Sequence, residues 1–204
     1  MAVIERLVLA SGNEGKLAEL TGLLSGQIGE IVPQSFYFVP GAEETGSTFV
    51  ENAIIKARNA AAHTGLPAIA DDSGLEIPAL DGEPGVRSAR WAGEDASDAD
   101  NNARLRDALI DLDAHQRGAA YRCVLVAMRH AADPAPLIAE GMWTGQLIET
   151  PQGDGGFGYD PHFYLPEAGC TAAELPADTK NMLSHRGQAL SALRRRLEQE
   201  WQRL

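Results

Sequence analysis

What the chain is short of narrows it first. No stretch approaches the run of about 18 apolar residues that a membrane-crossing helix requires, so no span is expected. The early run Leu7–Ala10 is too short for the apolar core of a secretory signal, and Glu5 interrupts its approach. Cysteine is rare: Cys123 and Cys170 stand in neither a zinc nor a redox spacing, and they read as plain thiols of a reducing cytoplasm. Basic charge is outnumbered, 17 Lys and Arg against 29 Asp and Glu, for a net charge of −12. That balance argues against a nucleic acid polymer as partner. It leaves room for a small anion, because local rather than net charge governs a cleft. Lysine is scarce even among the basic residues, with Lys16, Lys56 and Lys180 alone beside the arginines. A lysine is a compact point charge and a common phosphate partner, so each of the three is a candidate.

What is present is the composition of a globular domain. With 204 residues, 44% of them apolar, the chain can bury a substantial core and reads as a single domain over 1–204. Arg6 to Ala10 form a strand, followed by a Gly-rich turn and a helix carrying Leu17, Leu20 and Leu24. "EIVPQ" gives a second strand. Thr48 and Glu51 make an S/T-x-x-E capping box, which opens a helix with Phe49, Ala53, Ile54, Ala57 and Ala60 on one face and Gly65 and Pro67 at its end. An apolar strand then leads into Asp71 and Asp72, and a helix covers about Asp98 to Leu112. "AAYRCVLVAMRH" and "PLIAEGMWTGQLIET" read as two long antiparallel strands. A second Gly-rich segment passes into a short strand, Thr171 and Glu174 form another capping box, and a helical tail from Lys180 carries Leu190, Leu193, Leu197 and Trp201 on one stripe. The expected fold class is α/β, a mixed β-sheet flanked by helices, in two lobes around a central cleft.

Four segments carry chemistry. The first is "SGNEGK": Ser11, Gly12, Asn13, Glu14, Gly15 and Lys16. A Gly-rich turn from strand to helix points backbone N–H groups and the helix dipole at an anion. It is no Walker A loop, since the G-K-[ST] ending is missing, and a plain turn is the alternative. The second is a set of carboxylates from several segments, Glu43 and Glu44, Glu51, and Asp71 with Asp72. Oxygen ligands of this kind suit Mg²⁺, whose shell is completed by water and substrate phosphates. A capping role already explains Glu51, and a turn before Ser73–Gly74 explains one of the two adjacent aspartates. If the strand runs on through both, their side chains point to opposite faces. The third is "GDGGFGYDP", where glycines let backbone approach a flat ligand while Phe157 and Tyr159 stack on it or fill the core. In the fourth, "KNMLSHRGQAL", Lys180, His185 and Arg186 gather cationic donors at a helix start, suited to reading ligand acceptors. Together these are the parts for a nucleoside triphosphate with Mg²⁺.

"SGNEGK", "AEETGSTFVENAIIKA", "AIADDSGLEI", "GEPGVRSARWAG", "GGFGYDPHF" and "SHRGQAL" also resemble, in order from about residue 8 to residue 190, the inosine triphosphate pyrophosphatase family. These are the non-canonical purine NTP (dITP/XTP) pyrophosphatases. The chain departs from the family at Ser11, where Thr is commoner; the hydroxyl is kept. The resemblance implies an elongated α/β fold, a cytoplasmic homodimer, and hydrolysis of ITP, dITP or XTP to the monophosphate and pyrophosphate. It implies that Ser11 to Lys16 hold the triphosphate with help from Lys56, and that Glu43 and Asp72 hold Mg²⁺. Asp72 would also be the proton acceptor, as metal ligand, base or both. Ser73 would touch substrate, and Phe157, Gly158, Tyr159, Asp160, Lys180, His185 and Arg186 would bind the nucleoside end. Donors from His185 or Arg186 would satisfy the O6 acceptor of hypoxanthine or xanthine and oppose the amino group of adenine. The rival readings are a pyrophosphatase for other nucleotides and a nucleotide-binding regulator without turnover.

Overall fold

The computed structural model describes residues 4–11, 20 and 28–201. Its strands are β1 (Ile4–Leu9), β2 (Ile28–Pro33), β3 (Ala68–Glu76), β4 (Gly118–Met128), β5 (Leu137–Leu147), β6 (Phe163–Leu165) and β7 (Cys170–Thr171). They form one seven-stranded mixed sheet in the order β2-β1-β3-β4-β5-β6-β7. β1 runs parallel to β2 and to β3, whereas β6 is antiparallel to β5 and to β7. The helices are α1 (Phe49–Thr64), α2 (Asp98–Ile110), α3 (Ala177–Leu183) and α4 (His185–Arg196), the last followed by a π turn over Leu197–Trp201. The Gly12–Lys16 turn lies outside the described residues, as does the following helix apart from Leu20, which is helical and fully buried.

The chain divides into two compact units. The first comprises residues 1–72, 123–141 and 188–204, the second 73–122 and 142–187. In the first, the continuous apolar run Leu7–Leu9 has no exposed side chain, as expected of a strand covered on both faces. One layer of its core joins Leu7, Leu9 and Ile69 to Leu125, Leu190, Leu193 and Leu197, and Trp201 packs against it. The tail stripe read from the sequence is therefore a core stripe. Another layer sets Ala53, Ala57, Ala60 and Ala61 of α1 against Val8, Ala68, Ala70, Val124 and Val126. Small side chains on that face let the helix lie close to the strands. The second unit has its own core of Leu75, Ile77, Trp91, Leu105, Leu109, Tyr121, Trp143 and Phe163.

Local signals set the helix ends. Thr48 Oγ1 accepts from the Glu51 amide, and the Glu51 carboxylate accepts from the Thr48 amide at 2.9 Å, so both halves of the expected box form. Gly65, at φ +68°, closes α1 in the left-handed conformation that suits glycine. The box expected at Thr171 and Glu174 behaves differently. Glu174 accepts from the Thr171 amide at 2.7 Å, yet Thr171 belongs to β7 and the next helix begins at Ala177. Leu175 and Pro176 intervene, and the bonds close a turn instead. The helical tail is broken too, since Ser184 adopts an extended backbone between α3 and α4.

Removing the N-cap hydroxyl with Thr48→Ala is expected to destabilise the fold by about 1 kcal/mol, read as a lower urea midpoint at unchanged slope.

Candidate active site

The candidate residues fall into one group in each unit. In the first unit they surround Lys56. This side chain leaves α1 toward β3, where its ammonium donates to Asp72 Oδ1 at 2.6 Å and lies 3.5 Å from Glu44 Oε1. β3 runs through both Asp71 and Asp72, which are 1% and 6% exposed, so neither is the solvated turn residue the sequence also permitted. Burial of Lys56 favours the neutral amine. The charges of Asp72, Asp71 and Glu44, with the hydrogen bond to Asp72, outweigh it and raise the pKa above 10.5.

The acidic loop before α1 is held in place by that helix's first turn. The Glu51 carboxylate accepts from the Thr48 hydroxyl at 2.8 Å and from the Thr48 and Ser47 amides at 2.9 Å each, and these bonds, the hydroxyl's first, keep it below the ordinary carboxylate range. Asn52 Oδ1 accepts from the Gly46 amide at 2.8 Å. A Cβ at Gly46 would meet both Glu51 and Asn52, so glycine is what allows this close approach. Pinned there, the loop brings Glu44 to Lys56 and leaves Glu43 exposed. Glu51 is thus a cap, and Glu44 joins the charge cluster. Ser11 follows β1, half-buried; Gly12, Asn13, Glu14, Gly15 and Lys16 lie outside the described residues.

In the second unit Asp160 is the centre. It is 4% exposed, accepts from Lys180 Nζ at 2.5 Å and accepts from the Phe157 amide at 2.9 Å. The ring of Phe157 is partly exposed, with Lys180 Nζ 5.0 Å and the Arg186 guanidinium carbon 5.6 Å from its centroid, within cation–π range. His185 and Arg186 open α4 and are buried. Arg186 donates to Ser73 Oγ at 3.2 Å. Gly187 lets them come so near α3, because a Cβ there would collide with the Asn181 carbonyl. Gly156, at φ +74°, likewise leaves room for the Asp160 carboxylate and the Lys180 ammonium.

Of the two aromatic residues in this loop, only Phe157 offers a ring to a ligand. Tyr159 is committed to the core. It is 4% exposed, its hydroxyl donates to the Ser88 carbonyl at 2.7 Å, and its ring meets Trp91 edge-on. The backbone of Gly158 is committed as well: its amide donates to Asp98 at 2.7 Å and its carbonyl accepts from Asn102 at 2.9 Å. Asp98 and Asn102, four residues apart on α2, grip both polar groups of one peptide residue and so set the loop bearing Phe157 and Asp160. Sequence reading missed this pair. The available signal was the i, i+4 spacing just inside the Ser97 cap. Tyr121, parallel to the His185 ring at 4.8 Å, was missed too, because it reads as an ordinary inward strand residue.

Buried carboxylates neutralised by lysine suit the handling of water and a polyanion. A partly exposed ring beside cationic donors suits a flat heterocycle. Among the described residues no three His, Cys, Asp or Glu side chains gather as a metal cage. No helix among them is long and apolar enough to cross a membrane. The class these features describe is a nucleotide-handling α/β hydrolase. The model of the Ham1 family matches residues 7–196, and the chain belongs to that family. It is 60% identical over 192 residues to a dITP/XTP pyrophosphatase of Methylococcus capsulatus, covering 94% of this chain and 96% of that one. It is 53% identical to a dITP/XTP pyrophosphatase of Vibrio cholerae, covering 97% and 98%. The structure of a HAM1 protein from Coxiella burnetii matches with a TM-score of 0.90 at 52% identity, covering 96% and 99%.

Two tests follow from this geometry. A base whose pKa is raised by folding adds stability that is complete below its unfolded value and lost as pH climbs through the folded one. Lys56→Met is therefore expected to cost about 3 kcal/mol at neutral pH, and the gap from the parent should shrink above about pH 10.5, in urea titrations across pH 7–11. Asp98→Ala frees the Gly158 amide and is expected to speed its hydrogen exchange about tenfold, measured by NMR against the unchanged amides of β4.

Proposed function

We propose that the chain hydrolyses the purine nucleoside triphosphates ITP, dITP and XTP to the monophosphate and pyrophosphate, clearing them from the nucleotide pool before they enter DNA or RNA. The observation that carries this reading is the buried Lys56–Asp72 pair backed by Asp71 and Glu44, in a chain whose relatives are dITP/XTP pyrophosphatases. Asp72 accepts the proton of the water that attacks the α-phosphorus. Lys56 orients that carboxylate and meets phosphate charge. Ser11 to Lys16 hold the triphosphate, with backbone amides and the Lys16 ammonium as donors. Catalysis of this kind is mostly positioning and neutralisation.

The oxygen donors present suit a hard cation that shares its shell with substrate. Mg²⁺ would be held by Asp72 and a loop carboxylate, Glu43 or Glu44. When bound, it neutralises phosphate charge and eases departure of pyrophosphate. At the nucleoside end Phe157 supplies the stacking face, Ser73 touches substrate, Lys180 and Asp160 set the loop, and His185 and Arg186 donate toward O6. Adenine presents an amino donor at that position and leaves those donors unsatisfied, which is the costly outcome for a buried polar group. Guanine shares O6, so its rejection turns on the 2-amino group. The same reading makes the enzyme a cytoplasmic homodimer.

The test is release of pyrophosphate and orthophosphate, with Mg²⁺, from ITP, XTP, dITP, GTP, ATP and TTP. Pyrophosphate from the first three is expected, with at least a hundredfold loss, about 3 kcal/mol of barrier, in Asp72→Asn. Equal turnover of ATP or GTP would refute base selection. Binding without turnover would make the chain a nucleotide-binding regulator.

A further inference from the structure

The glycine-rich segment 153–161 has little stiffness of its own. Gly153, Gly156 and Gly158 stand at φ +80°, +74° and +62°, and glycine gives up more conformational freedom on ordering than any other residue. Yet this segment carries Phe157, whose ring is 38% exposed with Lys180 and Arg186 at its face. A ring that is to meet a ligand in one fixed place needs a hold from outside the segment. Two side chains of α2 supply it.

Asp98 opens α2 and is exposed, so no core packing depends on it. Its carboxylate accepts from the Gly158 amide at 2.7 Å, and Asn102 Nδ2, one turn on, donates to the Gly158 carbonyl at 2.9 Å. Both polar groups of one peptide residue are held, and both partners ride on one rigid element. Turning either dihedral of Gly158 strains one bond or the other. α2 is itself seated on residues 88–92. Asn101 Oδ1 accepts from the Ala92 amide at 2.9 Å, and its Nδ2 donates to the Ala89 carbonyl at 3.1 Å. Arg104 donates to the Trp91 carbonyl and lies 4.9 Å from the centroid of its ring. The Tyr159 hydroxyl donates to the Ser88 carbonyl at 2.7 Å. Residues 88–92 are thus the footing of both α2 and the loop.

We propose that Asp98 and Asn102 are positioning residues for recognition of the base. By fixing Gly158 they fix the adjoining Phe157, whose ring is set beside Lys180 and Arg186 before a nucleotide arrives. The Phe157 amide, bonded to Asp160 at 2.9 Å, is kept in the same conformation. Presetting removes the ordering cost that a glycine-rich loop would otherwise impose on binding. The benefit falls on the base rather than the phosphates, because the loop carrying Phe157 is what the clamp holds. This inference rests on assigning Phe157 to the nucleoside end.

Asp98→Ala removes one grip and Asn102→Ala the other, whereas Asp98→Asn keeps an acceptor for the Gly158 amide. For both alanine variants, KM for dITP and XTP is expected to rise about 3- to 10-fold with kcat changed less than about twofold. Asp98→Asn should restore most of that loss. Inhibition by inorganic tripolyphosphate, which has no base, should keep the parental Ki in all three. In the substrate-free protein the Phe157 amide, whose own bond runs to Asp160, should exchange faster in Asp98→Ala along with that of Gly158. A purely structural pair would lower the urea midpoint and leave KM and Phe157 exchange at parental values; that result overturns the proposal. A tripolyphosphate Ki that rises in step with KM overturns it too, since the disturbance then reaches the phosphate end. If the parent releases no pyrophosphate from any nucleotide, the functional assignment fails. Phe157 exchange then decides the clamp alone, and a parental rate in Asp98→Ala overturns it.

Discussion

Two aspartates hidden from water, each neutralised by a lysine, are the constraint around which the rest is arranged. Asp72 with Lys56 and Asp160 with Lys180 are short contacts between side chains that are at most 15% exposed. A buried ion pair is not a cheap source of stability, because both partners must leave water. Here each pair orders what surrounds it. Lys56 ties α1 to β3 and draws in Glu44. Asp160 ties Lys180, at the C-terminal half of α3, to the glycine-rich loop. Fixing charge in advance, with its solvent already removed, is what a site that handles a polyanion requires.

The scaffold serves those pairs through close approach. The alanine face of α1 brings Lys56 near enough to reach a strand carboxylate. Gly46, Gly156 and Gly187 each stand where a methyl group would strike a polar neighbour. The loops are accordingly fastened at single peptide groups: Gly46 by Asn52, Gly158 by Asp98 and Asn102. Side chains from helix first turns do most of this fastening, where amide-seeking carboxylates and amides are already favoured.

Local signals made part of this legible in the sequence. Thr48 and Glu51 announced α1, Gly65 its end, and the scarcity of lysine pointed to Lys56 and Lys180 before any contact was known. Other features depended on the fold. Thr171 and Glu174 satisfy the same local rule as Thr48 and Glu51, but strand pairing claimed Thr171 and left no room for a helical turn before Pro176. The adjacent aspartates could be read as a turn or as a continued strand, because buried charge is rare in strands, and Lys56, sixteen residues earlier, is a partner that helps make it tolerable. Tyr159 and Phe157 are indistinguishable as letters in a glycine-rich run; the carbonyl of Ser88 decides which is core. Tyr121, Asp98 and Asn102 act on residues far along the chain, and nothing in their own neighbourhood marks them.

The rims of the sheet carry a consequence for association. Strand β2, at one margin, ends in Pro33 and carries Glu30 in an ion pair with Arg6. Strand β7, at the other, is two residues long. Proline, a charged side chain and brevity each spoil a margin as a template for another strand. Intermolecular β-augmentation is thereby disfavoured at both ends, which guards the chain against fibrillar growth.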